Sequence, residues 1–517
     1  MSGQHRHRLA HLAALFAALL GCALAPTARA KEARFVWGIN GHPLVSYPGV
    51  GIDEQLNLVA DLGLTSYRVD VTNVNQSDRL GQLIEKGQHL GIDILPVLIP
   101  PGSLDKDAPE ALYKSAYDFA VHFVTRFKDS VKVWELGNEL ENYAMLQPCE
   151  IQDDGRQYNC SWGTASGVGK LEYHGGRWRK VSSVLKGLSE GTMSVTPDAI
   201  KAMGTAGWGH VGAFERMRDD GIKWDISVWH NYDGKHEWGL ERVAKFGKPI
   251  WITEFNFSGG SQKGDVRQAT GIATSAYEIH RLSQRYNVTG AHIYELLDET
   301  YWAPNYEAYM GLVYLEKAKG KSWRAAGPKP AYCSIRTMLR NGYRMRAGRS
   351  IIGKGDSTKA APQQRTSSTP LSDKTVPKRS CDLCAFEARN VTLEEAISYT
   401  YCLALGHPHD GGGLIAWSRD VRSGKVKFEN IRKTMVGLNL QRIKASTSLG
   451  DSAYVAYLRR LLLDSEPEGL EHWWLVRDLE RGKINREQVI DRILASDRFR
   501  WMHPTLFHVK DPAVGTN

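Results

Sequence analysis

After residue 30 the chain has no apolar run long enough to cross a bilayer, which takes about 20 consecutive apolar residues. It also lacks a glycine-rich phosphate loop behind a strand and a nucleophile elbow, so nothing points to a nucleotide cofactor or an activated serine. The histidines of Tyr173-His174-Gly175 and His407-Pro-His409 do not have metal-ligand spacing. Cys381, Cys384 and Cys402 with His407 and His409 are too irregularly spaced for a zinc site, and no metal or cofactor is expected. A basic surface for nucleic acid is missing too. The formal net charge is +9, but nine Lys/Arg against Asp356 and Asp373 fall within 344–380 alone. Without that stretch and the arginines at 6, 8 and 29, the remainder is close to neutral, so the charge describes one segment and implies no nucleic-acid partner.

What stands at the start is a basic Arg6-His-Arg8, an apolar stretch and Ala28-Arg29-Ala30, the layout of a secretory signal cleaved after Ala30. Leu19-Leu-Gly-Cys22 loosely resembles a lipobox, which offers lipid anchoring through Cys22 as the alternative. The expectation is a periplasmic or secreted bacterial protein with no integral membrane segment once the signal is removed. Six cysteines besides Cys22 suit disulfides in that compartment. Cys149 and Cys160 flank a polar loop and make a natural local pair; the connectivity of the other four is open.

From Phe35 to about Tyr343, strand-like runs alternate with helix-like ones. The runs cover 35–40, 66–71, 92–99, 131–139, 200–205, 224–232, 249–255 and 289–296. Eight strands separated by helical patterns imply an α/β fold with a parallel sheet closed as a (β/α)8 TIM barrel. In Glu110–Phe127, for example, Leu112, Ala116, Phe119, Ala120, Phe123 and Val124 lie along one helical face. The stretch 344–380 is rich in Gly, Ser, Thr, Pro and basic residues and cannot bury enough apolar area to order itself, so it reads as a flexible basic linker. Beyond it, the helical pattern Tyr401…Trp417…Gly424 is echoed by Tyr457…Trp474…Gly482. The expected organisation is therefore a signal peptide over 1–30, a barrel over 31–343, a linker over 344–380 and a small all-α module over 381–517.

Two of the barrel runs end on a carboxylate: Val131-Lys-Val-Trp-Glu-Leu-Gly-Asn-Glu139 and Pro249-Ile-Trp-Ile-Thr-Glu254. Alternation along the first places Glu135, Gly137 and Glu139 on one face, so Glu139 is expected to emerge at the top of the barrel. Arg68, on the second run, could reach the same interior and keep one carboxylate ionised. Paired carboxylates with this asymmetry suit glycoside cleavage, in which one acid keeps its proton and the other attacks.

Gly137-Asn138-Glu139 after a strand, with Thr253-Glu254-Phe-Asn after a later one, resembles the clan of (β/α)8 retaining glycoside hydrolases. Within it, Trp134-Glu135-Leu-Gly-Asn-Glu139 and Trp229-His230-Asn-Tyr232 are most similar to glycoside hydrolase family 39, although Leu140 stands where many members have proline. The resemblance implies Glu139 on strand four as acid/base and Glu254 on strand seven as nucleophile. It implies Asn138 as a ligand of the sugar 2-hydroxyl, Arg68 as the group orienting Glu254, and His230 and Tyr232 beneath the nucleophile. Glu135 is expected to be a structural partner of Arg68. Tyr294, Trp302, Trp37 and His42 are further candidates for sugar contact, and Glu295 for sugar binding or loop structure. The second C-terminal unit resembles the helical repeat catalogued as domain of unknown function 4214, which implies a small module that could meet a cell surface or protein partner.

The expected activity is thus an exported glycosidase acting by double displacement on an extracellular polysaccharide or oligosaccharide. An exo-acting, xylosidase-like enzyme is one alternative. A non-catalytic carbohydrate-binding or scaffolding protein is the other, against which the cost of burying Arg68 with several carboxylates argues.

Overall fold

Each of the eight strand-like runs becomes a strand of one sheet. In a computed structural model, residues 35–340 and 380–514 are described, apart from 46, 48, 208, 233, 319, 321, 389, 444–448, 464–469 and 512–513. The signal segment 1–30 and all but the last residue of the linker 344–380 lie outside the described residues. The strands are β1 (Val36–Gly41), β2 (Ser66–Val71), β3 (Asp93–Leu98), β4 (Val133–Leu136), β5 (Ile200–Thr205), β6 (Ile226–Asn231), β7 (Ile250–Phe255) and β8 (Val288–Ile293). They pair in chain order and close, β8 lying parallel to β1 through Val36–Gly290 and Ile39–Ile293. This is the expected TIM barrel.

Two strands end three residues earlier than the sequence suggests. β4 stops at Leu136 rather than 139, because Gly137 and Glu139 take left-handed φ values of 80° and 48°. Glu139 therefore reaches the cavity from a turn, and strand alternation does not position it. β8 stops at Ile293 rather than 296, where the Tyr294–Glu295 peptide is cis. A short antiparallel pair, β9 (Val313–Lys317) and β10 (Trp323–Pro328), follows the barrel.

The outer helices bury the faces that their periodicity marks. They are α1 (Ile52–Leu62), α2 (Ser77–His89), α3 (Pro109–Phe127), α4 (Gly175–Val195), α5 (Val211–Asp219), α6 (His236–Val243), α7 (Asp265–Tyr286) and α8 (Pro330–Arg340). On α3, Leu112, Ala116, Phe119, Ala120, Phe123 and Val124 are all buried. α3 and α4 approach closely because α4 presents glycines one turn apart. A Cβ on Gly187 would sit 2.4 Å from Tyr113 O, and one on Gly191 2.5 Å from Tyr117 O. Inside the barrel, Leu95, Ala202, Ile226, Val228 and Trp251 form an apolar plug with Val36 and Val133 near the strand starts. The buried polar residues Asn40, Arg68, Glu135, His230 and Glu254 collect toward the strand ends, the end at which barrel loops build sites.

The C-terminal residues form α9 (Leu393–Leu405), α10 (Gly411–Arg422), α11 (Phe428–Arg442), α12 (Asp451–Leu463), α13 (Leu470–Glu480), α14 (Arg486–Ala495) and α15 (Asp497–Met502) around their own apolar core. This all-α region packs on the barrel flank, α15 against β10. Disulfides join Cys149 to Cys160, Cys381 to Cys402, and Cys333 on α8 to Cys384 ahead of α9. The first is the expected local pair. The other two take up all three thiols of the zinc alternative. Cys333–Cys384 bolts the helical region directly to the barrel, so the covalent path between them is shorter than the linker.

Replacing both Cys333 and Cys384 with Ser should destabilise the docked arrangement by about 2–4 kcal/mol. Thermal unfolding should show a lower midpoint than wild type, and limited proteolysis should release the helical region faster.

Candidate active site

The guanidinium of Arg68, on β2, lies at the centre of the polar end of the barrel. Its Nε and Nη2 donate to the two oxygens of Glu135 at 2.9 and 2.6 Å, a bidentate pair that confirms Glu135 as its structural partner. Nη1 donates to Glu254 Oε1 at 2.8 Å and to Asn40 Oδ1 at 2.6 Å, and Nη2 also donates to Asn138 Oδ1 at 2.8 Å. Burial alone would make Arg68 easier to deprotonate, but the charges of Glu135 and Glu254 outweigh it and hold the cation firmly.

Glu254 sits on β7 and is buried. Oε1 takes Arg68, and Oε2 accepts from the Tyr232 hydroxyl at 2.6 Å. Burial and then the negative charge of Glu254 push the Tyr232 phenol well above its usual range, so it stays a donor. Facing them, Glu139 is about one-third exposed and its Oε1 lies 2.8 Å from His230 Nδ1. The same imidazole nitrogen is 3.5 Å from Glu254 Oε2, so His230 bridges the two glutamates. Its Nε2 meets Thr253 Oγ1 at 3.1 Å, and Thr253 in turn donates to Glu135.

The proton balance between His230 and Glu139 differs from expectation. Burial pushes His230 down, but the Glu254 charge and the Glu139 hydrogen bond more than offset this and raise it. Burial would raise Glu139, yet the hydrogen bond and charge of His230 hold it below the usual carboxylate range. In the free site the proton therefore belongs to the His230–Glu139 pair and rests on the imidazole side.

A cavity of about 700 Å³ opens over this constellation. Seven of the ten sequence candidates line it: His42, Arg68, Asn138, Glu139, Tyr232, Glu254 and Tyr294. His230 lies just beneath, in contact with both glutamates. Trp37 is not there; it is buried on β1 edge-on to Phe255, with ring centroids 6.3 Å apart. Trp302 is 58% exposed on the loop after β8 and does not line the cavity. Glu295 does not line it either and is fully buried. There, burial and then the nearby Glu299 charge push its carboxyl up to about 8.

Sequence reasoning missed Asp70, Asn142, His210, Tyr306 and Glu307, all of which line the cavity. Asp70 was findable, since it follows Arg68 by two residues on one strand and so shares its face. The others come from loops whose path has no periodic signal. His210 pairs at 2.9 Å with the buried Glu141, just past Glu139. Two trios have the spacing of a metal site, Glu139–His230–Glu254 and His42–Glu295–Glu299. In the first, Arg68 already supplies a fixed positive charge against Glu254, which opposes a cation.

Glu139→Gln should remove one of the two partners that raise His230, so its titration should fall toward about 6.5, the ordinary histidine value, with the Glu254 charge left to oppose burial. Imidazole NMR titration reads this directly. By linkage, the wild-type stability from the raised His230 is fully present below about pH 6.5 and is lost as pH rises through its folded value. The variant should show a smaller slope. Gly137→Ala should cost about 1–3 kcal/mol in chemical denaturation, because a side chain is strained at this φ. Its Cβ would also meet Leu140 Cδ1 at 2.8 Å.

No protein-family model matches the chain, and no curated protein sequence does. Among solved structures, a family 1 β-glucosidase from Thermotoga maritima aligns with 13% identity and a TM-score of 0.42, over 59% of this chain and 97% of that one. The native xylanase 10B from Thermotoga maritima aligns with 16% identity and a TM-score of 0.40, over 61% of this chain and 97% of that one. The endo-β-1,4-mannanase from Thermotoga petrophila aligns with 14% identity and a TM-score of 0.39, over 61% of this chain and 79% of that one.

Proposed function

We propose that the protein is an exported, retaining glycoside hydrolase that cleaves O-glycosidic bonds of a polysaccharide. The observation that carries this reading is the Glu139–Glu254 pair at the floor of an open cavity, with ligating oxygens within 4.8 Å of each other and of His230. Retaining chemistry needs carboxyl groups about 5–5.5 Å apart, close enough for one to attack while the other serves the leaving oxygen. Arg68 and Tyr232 hold Glu254 as the nucleophile with its charge in place. Glu139 is the acid/base, and the proton stored on His230 passes through it to the leaving oxygen. Glu254 then carries the glycosyl group, Glu139 takes a proton from water, and that water releases the sugar and restores Glu254. With Asn138 Oδ1 committed to Arg68, its amide N–H groups are left to donate to a sugar hydroxyl in the cavity.

Export is supported by the signal-like start and three disulfides, which persist in oxidising compartments. Among the described residues no helix is long and apolar enough to cross a membrane. A polymeric substrate cut internally is favoured by half-exposed Tyr306 on the cavity wall and by exposed Trp302 and Trp162 on flanking loops, since sugar faces stack on aromatic rings. The strand-four and strand-six motifs favour a family-39-like member of the clan.

Glu254→Gln should lower turnover of a cleavable polysaccharide by a factor on the order of a thousand or more while leaving circular dichroism unchanged. Mass spectrometry of acid-quenched reactions of Glu139→Gln should find a glycosyl adduct on the Glu254 peptide. Near-normal activity of Glu254→Gln would refute the nucleophile assignment. Product sizing on exopolysaccharide and xylan-type oligomers separates internal from terminal cleavage.

A further inference from the structure

On the β1–β8 side of the cavity, His42 from its lining meets two buried carboxylates, and none of the three takes part in the chemistry above. His42, Glu295 and Glu299 each offer one ligating atom, and these atoms lie within 4.8 Å of one another. Glu295 is fully buried and Glu299 is 7% exposed. We propose that His42, Glu295 and Glu299 bind one divalent first-row transition ion, Zn2+ or Mn2+, beside the cavity and separate from Glu139 and Glu254.

Three observations carry this. First, Glu295 Oε1 has no hydrogen-bond partner although it is buried. A buried carboxylate oxygen without a partner is costly, and native structures resolve such sites with a donor, a water or an ion. Each carboxylate already accepts from a phenol: Tyr47 donates to Glu295 Oε2, the oxygen nearest His42, and Tyr301 to Glu299 Oε1 at 2.5 Å. Among the described residues neither carboxylate has a Lys or Arg within ion-pair distance.

Second, His42 is oriented as metal-bound histidines are. Its Nδ1 lies 3.0 Å from Asp70 Oδ2, which turns Nε2 toward the glutamates, where it is buried without a hydrogen-bond partner. Nε2 lies 3.3 Å from Glu295 Oε2. An imidazole nitrogen and a carboxylate oxygen at that separation need a positive charge between them. A metal ion and a proton are the two candidates. Third, Glu295 and Glu299 are buried and do not line the cavity that His42 faces, and an enclosed carboxylate can take an ion but not a sugar.

The donor set selects the ion. One imidazole with two carboxylates favours Zn2+ or Mn2+ over Ca2+ and Mg2+, which prefer oxygen alone. Bound there, the ion would join the loop after β1 to the loop after β8 and stiffen the wall that carries His42, Asp70 and Tyr294. This inference does not depend on the glycosidase reading, because it concerns binding and not turnover.

The test uses the full chain stripped with a chelator and titrated calorimetrically with Zn2+ or Mn2+ alone, alongside thermal unfolding. The expected result is uptake of one ion per chain with a raised melting temperature, and much weaker uptake of Ca2+. Glu299→Gln, checked for folding by circular dichroism, should weaken binding by roughly tenfold or more. The proposal is overturned if the stripped wild type takes up no ion, which would leave a proton as the occupant of the His42–Glu295 gap. It is equally overturned if Glu299→Gln binds as tightly as wild type, if Glu139→Gln rather than Glu299→Gln removes the site, or if Ca2+ binds as tightly as Zn2+ and Mn2+.

Discussion

The buried guanidinium of Arg68 is the constraint on which the rest of the polar interior depends. Arginine has five N–H donors, and all five are used: two on Glu135 and one each on Glu254, Asn40 and Asn138. Asn40 passes the restraint on, its amide donating to the carbonyls of Thr253 and Ile293. One cation thus fixes side chains from β1, β2, β4 and β7 in one plane of contact. A fully satisfied network of this kind is rigid, whereas a partly satisfied one would be a liability in a low-dielectric interior. Two carboxylates against one fixed cation still leave negative charge. That surplus draws a proton onto His230 and a phenol onto Glu254, so the electrostatics of the cavity floor follow from the choice of partners around Arg68.

Backbone geometry makes the two glutamates unlike. Glu254 is held within a strand, enclosed and doubly hydrogen-bonded. Glu139 stands on a turn that leaves β4 through Gly137 and itself adopts φ 48°. A residue other than glycine in that region carries strain of about 1–3 kcal/mol, which a surrounding network must support. The His230 and Asn142 contacts do so. The result is one carboxylate that is locked and one that is about one-third open to solvent, the asymmetry that the proposed attacking group and proton carrier would need.

Much of this was legible in the chain. The eight apolar runs predicted the barrel because a strand buried on both faces must be continuously apolar, and Glu135 was readable as the partner of Arg68. Asp70 was equally readable from its two-residue spacing. Trp37 was misplaced because it stands next to the start of β1 and packs on Phe255, whereas the polar site gathers at the strand ends. His210, Tyr306 and Glu307 were invisible, since loops of irregular length have no period to extrapolate. The docking of the helical region also escaped, because disulfide connectivity depends on distance in space and not along the chain.

By itself, the sequence determined which elements form and which residue types stand at their ends, because helix and strand periodicity and buried apolar runs are local properties. It thereby determined that Arg68, Glu135 and Glu254 would share one barrel interior. Only the tertiary structure decided where the protons rest, that Glu139 faces Glu254 across His230, and that Glu295 is fully buried outside the cavity lining. Those are set by distances of a few ångströms between groups far apart in the chain. Coulombic and desolvation energies change steeply over that range.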